Sequence, residues 1–245
     1  MTNQSHDEWY PPSVERLANA HELLDGPLDH TILAGNLRDL TRINRLLGGA
    51  DLSWRALAAT AGRTPATALT MLDVGTGAAD IPRHLLRQAA RHGIELAVTA
   101  TEVRPEVLDI ARGHSAATAQ LLLEEGRTDG LDHGDNSFDV AHASLVLHHL
   151  EPPAATHLLR EMGRVCRRAV IVNDLDRARR WWLGAWLLTR LTTANRYTRN
   201  DAPLSVRRAY RPNELSALAA GADLREVARL WDRLGHRYAL VFEPA

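Results

Sequence analysis

The stretch Ala68-Leu69-Thr70-Met71-Leu72-Asp73-Val74-Gly75-Thr76-Gly77-Ala78-Ala79-Asp80 decides the fold. Its first half is a short apolar run of strand length, and its second half opens a helical stretch that reaches His92. Between them, Gly75 and Gly77 permit a turn with torsions that other residues avoid, and let a ligand approach the backbone N–H groups. Strand, glycine turn and helix together are the setting in which such a turn holds a nucleotide-like ligand.

Two acidic residues narrow that ligand. Asp73 lies two positions before the first glycine, where its charge would repel a pyrophosphate but could organise the turn beside a cationic amino acid. Glu102 ends the next apolar run, 25 positions after Gly77, where a carboxylate can accept both hydrogen bonds of a ribose diol. An ammonium-bearing nucleoside fits this pair better than a dinucleotide.

Outward from the turn, strand and helix alternate. Strands are expected at 96–101, 121–123, 138–143 and 169–172, with helices at 105–115 and 153–165. The runs 227–231 and 238–242 are close enough to form an antiparallel pair. The expected fold is α/β, a doubly wound, mostly parallel seven-stranded sheet. Upstream, 13–25 and 31–48 carry helical periodicity, the latter with Leu33, Leu37, Leu40, Ile43 and Leu47 as one stripe, ended by Gly48-Gly49. Residues 1–12 read as a loose arm. Residues 1–67 are therefore expected to form an N-terminal arm with lid helices, and 68–245 the ligand-binding domain. The Trp- and Arg-rich stretch 176–212 interrupts the rhythm and is expected as a helical lid over the sheet's carboxyl edge.

Four phrases carry a family resemblance: Leu72 to Gly77, Thr101-Glu102-Val103-Arg104-Pro105-Glu106-Val107-Leu108, Asp135-Asn136-Ser137-Phe138-Asp139-Val140, and Leu147-His148-His149-Leu150. In this order they resemble class I S-adenosylmethionine-dependent methyltransferases, most closely the small-molecule branch that includes ubiquinone and menaquinone biosynthesis enzymes. The resemblance implies a Rossmann-like methyltransferase fold and S-adenosyl-L-methionine as cofactor. It implies that Gly75, Thr76 and Gly77 lie against the methionine part, with Asp73 organising the turn and Asp80 facing the amino acid moiety. It further implies that Glu102 holds the ribose, that Val103 packs on adenine, and that Ser144 and Leu145 flank the sulfonium. Two positions depart from the family: Ala79 replaces a third glycine, and Arg127 stands where an acid often reads the adenine amino group. Arginine cannot accept a hydrogen bond, so either Asp129 or the backbone at Thr128 would take that role.

Methyl transfer is an in-line displacement, needing alignment and a base wherever the acceptor loses a proton. His149, His148 and Asp174 are the leading candidates as bases, alongside His30 and His236. Adjacent histidines lack helical metal-ligand spacing, and no metal is expected. Asn173 closes the strand beside Asp174 as a substrate-contact candidate. Trp182 and Trp186 could wall an aromatic pocket or simply fill a core. Arg196 and Arg199, with His30, Arg38 and Arg42 from the other lid, could meet an anionic substrate or sit in solvent.

Composition removes several alternatives. All 29 basic residues are arginine, which excludes Schiff-base chemistry and a P-loop lysine. The single cysteine, Cys166, excludes an internal disulfide or a cysteine-built zinc site. A net charge of −1 argues against a nucleic-acid partner. No secretory leader is read, and Trp181–Leu188 is too short to cross a bilayer, so a cytoplasmic monomer or homodimer without membrane insertion is expected. The leading expectation is O- or C-methylation of a small aromatic, quinone-like or polyketide-derived metabolite. The alternatives are an RNA or protein methyltransferase and a non-catalytic cofactor-binding scaffold.

Overall fold

The computed structural model describes residues 14–18, 20–26, 29–61 and 68–245. The arm expected at 1–12 lies outside the described residues. The seven strands are β1 (Ala68–Val74), β2 (Glu95–Glu102), β3 (Leu121–Glu125), β4 (Phe138–Ser144), β5 (Cys166–Leu175), β6 (Leu224–Trp231) and β7 (Arg237–Pro244). They form one sheet in the order β3-β2-β1-β4-β5-β7-β6. Pairing is parallel throughout except at β7, which runs antiparallel to both β5 and β6. The sheet is the Rossmann-like, doubly wound arrangement expected from the alternation. Strand order reverses between β1 and β4, so a crevice opens there beyond the carboxyl ends of the strands.

The central strands are apolar on both sides, which is what helices on both faces demand. Val170 and Val172 of β5 and Leu240 and Phe242 of β7 pack with α5 (Pro152–Val165) and α8 (Pro212–Ala220). Their neighbours Ile171 and Val241 face the other way, against α2 (Gly49–Ala61) and α3 (Asp80–Arg91). A fully buried leucine such as Leu85 or Leu159 contributes about 1.5–3 kcal/mol to this core. On the first strands, α4 (Pro105–Ser115) packs beside β2 and β3.

Of the helices expected near the N-terminus, α1 (His30–Leu46) forms, capped by the Asp29 carboxylate, which accepts the Thr31 and Ile32 N–H groups. Gly48, with φ +80°, stops it as the sequence suggests. The segment around 13–25 is a correction. Among its described residues only Leu23–Asp25 is helical, as a single 3₁₀ turn. Arg16 explains the rest: its guanidinium bonds Glu151 and the carbonyls of Arg208 and Leu150, and Leu17 N–H bonds the Arg207 carbonyl. The chain is strapped across the domain rather than wound. The insertion consists of α6 (Arg179–Thr192) and α7 (Arg196–Arg208), which pack on each other, with α7 also against α1. Residues Leu33, Leu37, Ala78, Val107 and Tyr197 form a small apolar cluster that joins α1, α4 and α7 to the glycine turn.

Candidate active site

A cavity of about 460 Å³ occupies the crevice, and the glycine turn forms its floor. Gly75 (φ +67°) and Gly77 (φ +56°) take the left-handed torsions for which the sequence supplies glycine. At Gly75 a methyl group would also lie 2.7 Å from Val146 Cγ2. Ala79 adopts the same torsion (φ +54°) at full burial, so the missing third glycine leaves a locally strained alanine as the first residue before α3.

Two buried acids stand beside this turn, and one of them holds it. Glu102 Oε2 accepts the Gly77 N–H at 3.0 Å and its Oε1 accepts the Arg104 N–H at 3.0 Å. Burial raises the Glu102 pKa against these two donors. Asp73 Oδ1 lies 2.5 Å from His142 Nδ1, and His142 Nε2 lies 2.8 Å from Ser53 Oγ, which also accepts from Asn173 Nδ2. The acids remain part of the cavity wall. At its mouth, Asp80 accepts from Asn44 Nδ2 at 3.0 Å, and burial pushes the Asp80 pKa up.

The residues assigned to the cofactor are brought together: Asp73, Gly75, Thr76, Gly77, Asp80, Glu102, Val103, Thr128, Ser144 and Leu145 all line the cavity. Asp129 does not. It is drawn aside into a two-pronged pair with Arg127, at 2.9 and 2.6 Å, which leaves Arg127 and the Thr128 segment at the cavity wall. Thr76 Oγ1 and Ser144 Oγ are buried there without a hydrogen-bond partner, two polar atoms placed to meet a polar ligand. An amino acid joined to a nucleoside suits this donor set, with apolar Val103, Val107 and Leu131 beside it. After β4 the chain turns sharply through Leu145, at φ +58°, its N–H held by the Asn173 carbonyl. Such strain, costing about 1–3 kcal/mol, is typical of residues fixed at a reacting centre.

Beyond Leu145, His149 lines the cavity together with Asp25 and Leu24 of the N-terminal turn. Its Nδ1 meets Asp25 Oδ1 at 3.1 Å, and its Nε2 lies 3.8 Å from Glu22. His148 is turned inward and buried: Nδ1 meets Asp174 Oδ1 at 2.7 Å, and Nε2 lies 3.8 Å from the other Glu22 oxygen. Burial lifts the Glu22 carboxyl to about 7, despite His149 and the Ser205 hydroxyl. Burial acts the same way on Asp25, but hydrogen bonds from His149 and Arg208 outweigh it and hold its carboxyl well below the usual range. At Asp174 too, His148 and a backbone N–H overcome burial and lower the pKa. Among the described residues, Glu22, His148 and His149 are the cluster with metal-ligand atoms in range, all within 4.8 Å. The two imidazoles stack 4.3 Å apart, so their nitrogens run side by side, and Arg208 already brings a cation 3.6 Å from Glu22.

Several residues assigned from sequence to catalysis or substrate lie elsewhere. Asp174 and His148 stand behind the cavity wall, and Asn173 is buried between Gly49 and Ser53. His30, Arg38, Arg42, Arg196 and Arg199 are exposed outside the cavity, as is Trp186, while Trp182 is half-buried on α6. In their place the structure brings Leu24, Asp25, Leu37, Leu40 and Asn44 to the cavity. The stripe of 31–48 had signalled Leu37 and Leu40. Nothing in the sequence signalled Asp25 or the buried Glu22, which the chain delivers from an irregular strap.

Residues 71–169, from β1 into β5, match a family model described as a methyltransferase domain. No curated protein sequence matches. Among solved structures, a SAM-dependent methyltransferase from Aquifex aeolicus is similar over 89% of this chain and 100% of its own, with TM-score 0.62 and 17% identity. An O-methyltransferase family 2 protein from Planctomyces limnophilus, in complex with apigenin, is similar over 86% of this chain and 62% of its own (TM-score 0.60, 19% identity). Magnesium protoporphyrin IX methyltransferase from Synechocystis, with bound SAH, is similar over 83% and 86% (TM-score 0.59, 12% identity). At such identities the likeness is one of fold.

Proposed function

We propose that this S-adenosylmethionine-dependent methyltransferase acts on a small aromatic or polyketide-like metabolite and methylates a hydroxyl oxygen or an activated ring carbon. The observation that carries the reading is the His149–Asp25 pair at the cavity wall, beside the apolar side chains Leu24, Leu37 and Leu40. An aromatic ring suits the apolar wall, and a phenolic proton suits the imidazole.

The cofactor supplies an electrophilic methyl group. With cofactor bound, the acceptor's electron pair would form the new bond to the methyl carbon as the sulfur–methyl bond breaks, its electrons staying on sulfur. His149 receives the acceptor's proton, and Asp25 orients the ring through Nδ1. Glu22, with its carboxyl lifted to about 7, stands 3.8 Å from Nε2 as the next proton carrier. The apigenin-bound structural relative supports an aromatic acceptor as the first class to test. The membership of a quinone-biosynthesis branch rests on the sequence phrases alone.

Calorimetric titration with S-adenosylmethionine tests the cofactor half; a folded sample that binds none refutes it. An assay of S-adenosylhomocysteine release against phenols, hydroxyquinones, RNA and peptides then tests the acceptor. Turnover with RNA or peptide and none with phenols would replace this reading.

A further inference from the structure

Helix α6 (Arg179–Thr192) is poorly buried for its composition. Of its 14 residues only Thr189 is fully buried. Leu183, Trp186, Leu187 and Leu191 are 55, 40, 50 and 75% exposed. Leu183, Leu187 and Leu191 repeat every four residues and form one ridge, with Trp186 on the adjoining row. A group of large apolar side chains this exposed marks a surface that is covered in use.

The charges around the ridge have one sign. Arg179 and Arg180 stand exposed at its start and Arg190 near its end, where the guanidinium lies 4.3 Å over the Trp186 ring. No Asp or Glu occurs between Asp176 and Asp201. Arg199 of α7 reaches the carbonyls of Arg190 and Thr193 and adds its charge at the same end, where Arg42 of α1 reaches the Thr192 carbonyl and lies 3.9 Å from Asp39. Of the acids nearby, Asp39 is engaged by the hydroxyls of Thr193 and Thr198. This positive, apolar face belongs to a chain whose net charge is −1.

We propose that the outer face of α6 docks on an anionic lipid surface, with the Leu183–Leu191 ridge entering the headgroup boundary and the arginines meeting lipid phosphates. A leucine ridge flanked by arginine and tryptophan is the composition of a helix lying in that plane: arginine stems follow the apolar surface while their heads stay in water, and tryptophan favours the boundary. Among the described residues no helix is long and apolar enough to cross a membrane, so the contact is peripheral. A second copy of the chain fits less well. A two-fold contact through α6 would set the arginines of one copy against those of the other, with no carboxylate on the helix to pair them. Nucleic acid would meet the arginines but gain nothing from three exposed leucines.

The proposal is independent of the acceptor's identity. It is tested with the full chain by flotation on phosphatidylcholine vesicles with and without one quarter phosphatidylglycerol, at low and high salt. Binding is expected to need the anionic lipid, to weaken with salt, and to fall at least tenfold in Leu187→Glu/Leu191→Glu and in Arg180→Glu/Arg190→Glu. S-adenosylmethionine affinity should be unchanged in both variants, which shows that they fold. No vesicle binding by a sample that binds cofactor overturns the proposal, as does undiminished binding by both variants. A dimer in light scattering that Leu187→Glu/Leu191→Glu converts to monomer, or binding to RNA but not to vesicles, would assign the face to another occupant and also overturn it.

Discussion

Replacing Glu102 by glutamine tests whether one side chain both builds the glycine turn and holds the ribose. In the structure the carboxylate accepts two backbone N–H groups, from Gly77 and Arg104, each at 3.0 Å. Glutamine keeps the shape, but only its oxygen can accept, so its NH₂ faces one of the two donors. Hydrogen bonds to a charged acceptor contribute about 1.5–3 kcal/mol each, and one is lost outright. The free protein should therefore lose about 1–3 kcal/mol in urea unfolding. Cofactor affinity should fall in addition, roughly tenfold to a hundredfold, because the acceptor left for the ribose diol is neutral. Calorimetry with S-adenosylhomocysteine and its 2′-deoxy analogue separates the two losses. Wild type should bind the deoxy analogue more weakly, whereas Glu102→Ala should bind both alike, giving a positive coupling in the double cycle. Two results would refute the reasoning: unchanged affinity in a folded Glu102→Gln variant, or equal losses on deoxygenation in wild type and variant.

His149→Ala should cut turnover about 10²–10⁴-fold while S-adenosylhomocysteine affinity stays within a few-fold; a near-normal rate removes it as the base. Glu22 should make stability depend on pH. Its folded pKa, about 7, lies above the ordinary 4.5, so its contribution is complete below 4.5 and is lost as pH rises through 7. The loss is about 3 kcal/mol, and urea unfolding at pH 5 and pH 8 should show it in wild type and not in Glu22→Gln. Gly75→Ala places a methyl against Val146 at a left-handed torsion, and should lower the melting point by the equivalent of about 2 kcal/mol or more. Partial recovery is expected in Gly75→Ala/Val146→Ala. Ala79→Gly acts in the opposite sense, and an unchanged or higher melting point is its expected outcome.

The sheet was legible because its central strands are buried on both faces and so read as unbroken apolar runs between turn signals. The glycine turn and Glu102 were legible for a different reason: each is a residue type that only a particular geometry requires. Helices α2 and α8 went unread, α2 because Gly49-Ala50 offers no capping side chain, and α8 because Pro212 was absorbed into the insertion. The segment around Arg16 misled because helical periodicity is a local property. Arg16 instead satisfies carbonyls of residues far along the chain. The substrate residues failed to gather for a related reason. A periodic helix announces that it has two faces, but the neighbours decide which one is inside, and on α6 the tryptophan and leucines went outward.

Asp73 shows how much the surroundings add to a motif. From sequence it belongs to the turn, and its carboxylate does line the cavity. The hydrogen bonds behind it run in series. Asn173 Nδ2 donates to Ser53 Oγ at 2.8 Å, and the same Oγ lies 2.8 Å from His142 Nε2. The other ring nitrogen, His142 Nδ1, lies 2.5 Å from Asp73 Oδ1. The same Asn173 nitrogen also bonds the Gly49 carbonyl at the start of α2, while the Asn173 backbone carbonyl accepts the Leu145 N–H. A single buried chain of hydrogen bonds thus links α2, β4 and β5 to the acid under the turn. Every group in it is removed from water and each depends on its neighbour's orientation, so the chain fixes the carboxylate in one position. Residues 49–53, distant in sequence from the glycine turn, therefore support the Asp73 wall of the cavity from behind.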